Sequence, residues 1–104
     1  MSENPALTKL NELIEKLFQI HPGDKTRVSI VAKEIAMIVD QLLSDDVDEI
    51  MEMEIGKLLD RLKKTHFQVF NDVVSRSRYG MKINDLIQKV HWRNLQRRLS
   101  GSRS

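Results

Sequence analysis

Apolar residues in this chain recur at steps of three and four almost from end to end, and nowhere do they sustain a period of two. A period near 3.6 marks helices that turn one face to a core, whereas half-buried strands alternate. Asn-Gly and Asp-Gly hairpin turns are also missing. The chain is therefore predicted to be all-α, as one four-helix domain over residues 1–99 with a flexible tail over 100–104.

The first helix is predicted to start at Asn4, with Pro5 at its first position, where the missing amide costs nothing. Leu7, Leu10, Leu13, Ile14, Leu17 and Phe18 form its stripe, and His21-Pro22-Gly23 ends it. Thr26 is the expected cap of the second helix. There, apolar residues from Val28 to Leu43 cover more than half the circumference, as in the most buried helix of a domain. Ser44-Asp45-Asp46 offers a stop and a new cap.

Met51, Ile55, Leu58, Leu59, Leu62, His66, Val69, Phe70 and Val73 then keep helical phase from the Asp46 region to about Arg78. An unbroken helix of roughly 33 residues spans about 50 Å, against a diameter of roughly 33 Å for a compact chain of this length. Either it breaks, at Gly56 or Lys63-Lys64-Thr65, or a second chain covers the overhang. The second alternative is favoured, and with it a homodimer paired through helices two and three. Tyr79-Gly80 is expected to close this long third helix, and Asn84 to cap a fourth running to about Leu99.

One hundred and four residues with 40% apolar and 31% charged side chains have the composition of an ordinary soluble domain. Cysteine is absent, which removes disulfides, thiol chemistry and thiolate metal sites. The first residues lack the basic start and apolar run of a signal peptide, and no window reaches the ~20 apolar residues of a membrane span. A cytoplasmic protein without membrane contact is expected.

Charge is unevenly placed. Residues 1–74 hold nine Lys/Arg against fourteen Asp/Glu, whereas residues 75–104 hold eight against the single acid Asp85. A separation of this kind points to a polyanion or an acidic protein surface as partner. The candidate binding residues are Arg76, Arg78 and Lys82 around the turn before the last helix, and Lys89, Arg93, Arg97 and Arg98 along it. Arginine predominates, and its planar fork suits phosphate. Trp92 stands among these cations. At 100° per residue, Ile83, Leu86, Ile87 and Val90 share one face while Trp92, Leu95 and Leu99 lie about 150° away, with Lys89, Arg93 and Arg97 as a ladder between the two patches.

Other patterns carry less chemistry. Asp40, Asp45, Asp46, Asp48, Glu49, Glu52 and Glu54 form a run without Lys or Arg. A calcium loop is excluded, because Met51 and Lys57 occupy the positions that need glycine and a bidentate acid. Carboxylates gather where a helix begins, and the run can also dock a basic partner. His21, His66 and His91 lack metal-ligand spacing and are read as structural, and the glycines are isolated. No metal, no cofactor and no enzymatic activity are expected. The leading expectation is a small regulator that binds nucleic acid through the basic turn and helix. The alternative is a protein-interaction module (adaptor, anti-activator or chaperone) docking through Trp92, Leu95, Leu99 and the basic ladder.

Overall fold

The computed structural model describes residues 4–101, and the described residues form five helices and no strands. They are α1 (Pro5–Leu17), α2 (Lys25–Ser44), α3 (Glu49–Thr65), α4 (Phe67–Arg76) and α5 (Gly80–Gly101). Packing is between α1 and α2, α2 and α4, α3 and α5, and α3 and α4, around one core to which all five helices contribute.

Short polar side chains set the helix starts. Asn4 accepts from the amides of Ala6 and Leu7 as expected, with Pro5 following it. Asp24, not Thr26, caps α2 by accepting from Arg27 N at 3.2 Å. Asp48 caps α3 by accepting from Met51 N at 2.8 Å, with Glu49 and Glu52 in the first turn. Each carboxylate satisfies an amide that has no intrahelical partner and faces the positive end of the dipole. Helix α2 buries Val31, Ala32, Ile35, Ala36, Val39, Leu42 and Leu43, although Ile30 and Met37 on its outer side stay exposed.

The expected long third helix is two helices, so the domain has five rather than four. His66 takes a non-helical φ of −140° and ψ of 68°. Its amide still closes the α3 ladder on Leu62 O, and its carbonyl already accepts from Phe70 N of α4. Thr65 Oγ1 donates back to Arg61 O at 2.8 Å, the kind of side-chain bond that often accompanies a bend. The His66 ring meets the Phe18 ring edge-on at 4.8 Å, and the Arg61 guanidinium lies 5.3 Å from the Phe18 centroid. The bend brings Val69, Phe70 and Val73 into the core. Each large side chain buried in this way contributes about 1.5–3 kcal/mol. Without a 50 Å helix there is no overhang in the third segment, and the reason given for a homodimer disappears. Gly56 lies inside a continuous α3 and is not a break.

The turn into α5 also departs from expectation. Helix α4 ends at Arg76, and Ser77 is its C-cap. Asp40 reaches across from α2 to accept from Ser77 Oγ and from Arg78 N, and Tyr79 N donates to Ser77 Oγ at 3.0 Å. Helix α5 starts at Gly80, a turn before Asn84, whose side-chain amide donates to Gly80 O rather than capping. Ser100 and Gly101, expected in a flexible tail, belong to α5. Residues 102–104 of that tail, with Arg103, lie outside the described residues.

An overhang does exist, on α5. Ile83, Leu86, Ile87 and Val90 are buried, but every residue from His91 to Leu99 is exposed. At 1.5 Å per residue, the part of α5 beyond Val90 extends about 16 Å, consistent with dimensions of 49 × 29 × 28 Å.

Candidate interaction surface

Helix α5 crosses α3 at Gly56. A Cβ placed there would meet Val90 Cγ2 at 2.7 Å and Leu86 O at 3.0 Å, so only glycine lets the two helices approach this closely. The crossing leaves carboxylates of α3 on both flanks of α5. On one flank, Glu52 meets Lys82 at 3.9 Å and Lys89 at 3.4 Å, and Glu49 meets Arg93 at 3.4 Å. On the other flank, Asp60 Oδ1 lies 2.8 Å from His91 Nε2, while its second oxygen lies 3.1 Å from Lys64 Nζ. Asp60 is 7% exposed and is the buried charged residue among those described. Its two partners satisfy the carboxylate that burial would otherwise penalise.

The expected binding residues thus divide into two groups. Lys82, Lys89 and Arg93 are held by α3, and Arg76 pairs with Asp72 one turn earlier at 2.9 Å. Among the described residues, the side chains of Arg78, Arg97 and Arg98 have no carboxylate partner. Arg78 precedes α5, whereas Arg97 and Arg98 lie near its far end. About 19 residues at 1.5 Å each put roughly 28 Å between these two locations. The acidic run is divided as well: Asp40 fixes the α4–α5 turn, Asp48 caps, and Glu49 and Glu52 hold the basic helix of their own chain.

Trp92, Leu95 and Leu99 project from the outer side of α5, at 61%, 46% and 59% exposure. Their i, i+3, i+7 spacing makes one seam. Met81, 85% exposed, lies on its line toward the N-terminus. A shallow open depression runs along this side, lined by Met81, Lys82, Asp85, Gln88, Trp92 and Leu95.

The remaining histidines sit at chain bends. His21 Nδ1 accepts from Gly23 N at 2.9 Å in the α1–α2 turn, and burial lowers the pKa of His66 from its ordinary 6.5. Among the described residues, no three His, Asp or Glu side chains converge in a way that would hold a metal ion, and no helix is long and apolar enough to cross a membrane.

The sequence reading passed over Asp60. Its signal was present: Asp60 follows Gly56 by four residues and shares its face, so the carboxylate points at whatever packs on that glycine. No protein-family model, curated protein or solved structure matches this chain.

Proposed function

We propose that the protein is a non-enzymatic interaction module that docks a protein partner along the outer side of α5. The carrying observation is the exposed Trp92–Leu95–Leu99 seam on a helix segment that extends past its own core. A tryptophan buries about 150–250 Å² when fully covered. Covering its exposed three-fifths removes roughly 100–150 Å² from water, and about 25 cal/mol per Å² makes this about 3 kcal/mol. An exposed ion pair contributes about 0–1 kcal/mol. The apolar seam therefore dominates the energy this surface offers, and the surrounding cations supply steering and orientation.

Nucleic-acid binding ranks second. It is favoured by Arg78, Arg97 and Arg98, which have no carboxylate partner among the described residues, and disfavoured by the engagement of Arg76, Lys82, Lys89 and Arg93 with carboxylates. Three such arginines, one of them some 28 Å from the other two, make a small phosphate footprint. Self-association as a dimer has no support from a continuous third helix and does not enter this reading.

A nuclease-treated pull-down with wild type and Trp92→Ala/Leu95→Ala tests the proposal. A capture that survives nuclease and disappears in the double variant agrees with it. A capture lost to nuclease and indifferent to the double variant transfers the function to nucleic acid.

A further inference from the structure

Building on the docking role proposed for α5, we infer that the partner is an acidic amphipathic helix, packed lengthwise on the α5 seam. Three observations lead there. The seam repeats at three and four residues on a helix, the spacing that accepts another helix along its length. At 100° per residue, Lys89 and Gln96 border it on one side, and His91 and Arg98 on the other. Asp85 is the last acidic side chain of the sequence, so residues 86–104 hold no Asp or Glu.

The third observation also argues against a second copy of this chain as the occupant. Two α5 ends laid together would set Arg98 against its own copy, with no Asp or Glu beyond Asp85 on either helix and with Glu49, Glu52 and Asp60 of α3 already engaged by Arg93, Lys89 and His91 of their own chain. A foreign helix with leucine-like residues at its a and d positions and Glu or Asp at e and g supplies what is missing. Arg98 borders the seam and has no carboxylate partner among the described residues, so it is the residue placed to meet that acid. Arg97 is its immediate neighbour but projects about 170° from the seam centre, away from any helix lying on it. Two adjacent arginines of equal charge thus have unequal expected roles.

The probe is a synthetic three-heptad peptide with Leu at a and d and Glu at e and g. Its twin carries Lys at e and g. Like charges keep each peptide from pairing with itself. Binding is followed by the emission of Trp92, the sole tryptophan of the chain, and by anisotropy of labelled peptide for variants that lack it. The Glu peptide is expected to shift Trp92 emission to shorter wavelength and to bind at least tenfold more tightly than the Lys peptide at low salt. Trp92→Ala and Leu95→Ala should each weaken it at least tenfold. Arg98→Glu should weaken it several-fold more than Arg97→Glu does. All four side chains are exposed, and unchanged far-ultraviolet circular dichroism verifies that the variants are folded.

Each contrary outcome is separately informative. If the Lys peptide binds through Trp92 and the Glu peptide does not, α5 still docks a protein but the acidic partner is wrong. Equal losses from Arg97→Glu and Arg98→Glu mean that charge acts at a distance, and overturn the seated helix. If neither peptide binds while a duplex oligonucleotide does, in an arginine-dependent and Trp92-independent manner, both the inference and the docking role fall. A dimer in light scattering that Trp92→Ala dissociates replaces the foreign helix with a second copy.

Discussion

His91 Nε2 lies 2.8 Å from Asp60 Oδ1, joining α5 to α3 one residue beyond Val90, after which residues 91–99 of α5 are all exposed. With Lys82, Lys89 and Arg93 met by Glu52 and Glu49 on the opposite flank, α5 is straddled by α3 carboxylates, and the burial of Ile83, Leu86, Ile87 and Val90 fixes its rotation. The orientation matters because it decides which way Trp92 points. A helix turned by half a revolution would bury the tryptophan's side and expose Val90.

Asp60→Ala is expected to destabilise the domain by about 1.5–3 kcal/mol, the range for a hydrogen bond to a charged group, and toward its low end because His91 and Lys64 are open to water. Asp60→Asn, which keeps an acceptor for His91, should cost less than about 1 kcal/mol. Urea unfolding reads both as a shift of midpoint at constant slope. An Asp60→Ala protein as stable as wild type would deny the pair a structural role.

Gly56→Ala gains about 1 kcal/mol of helix propensity but forces a methyl against Val90 Cγ2 and the Leu86 carbonyl. Overpacking of this kind costs about 1–3 kcal/mol, and backbone yields less readily than a side-chain tip. The net effect is destabilising, and Gly56→Val should be worse. The same unfolding experiment checks the order.

Truncating the seam should separate stability from binding. Trp92→Ala and Leu95→Ala lie outside the core and should shift stability by no more than about 0.5 kcal/mol. Leu59→Ala and Ile83→Ala, both fully buried, should cost about 2–5 kcal/mol. Thermal denaturation of the four variants gives the comparison.

Amide exchange should change along α5 at Val90. Most helical stability in proteins comes from packing of a buried face. Residues 91–99 have none, so their amides should exchange faster than those of Ile83 to Val90 in the free protein. A bound partner helix should slow them. Exchange measured by NMR that is uniform along α5 would contradict the overhang.

His66 should make stability fall in acid. Burial lowers its folded pKa below the ordinary 6.5, so the unfolded chain takes up the proton first as pH drops. The contribution is complete above about pH 6.5. It declines as pH falls from there through the folded pKa, then levels off. His66→Gln should flatten this part of the stability curve. A wild-type curve already flat between pH 7 and pH 5 would rule out the effect.

The all-helical class was legible because the 3.6-residue period survives everywhere, and the Asn4 cap with Pro5 was legible because capping uses only neighbours in sequence. The outward patch of Trp92, Leu95 and Leu99 followed from helical angles alone. A break at Lys63-Lys64-Thr65 was legible only as the less favoured alternative, although α3 does end at Thr65: one non-helical residue hardly disturbs the phase of the stripe, so Leu62 and Val69 still read as one helix. Whether a stripe continues or folds back depends on what α2 and Phe18 offer in space, and that is a property of the packed core. The pairing of the basic helix with Glu49, Glu52 and Asp60 was hidden for the same reason. Coulomb attraction acts over distance in three dimensions, across gaps of 31 and more residues. Local periodicity determined which faces are apolar; the close crossing at Gly56 decided which charges were neutralised at home, and which two arginines remained at the end of α5.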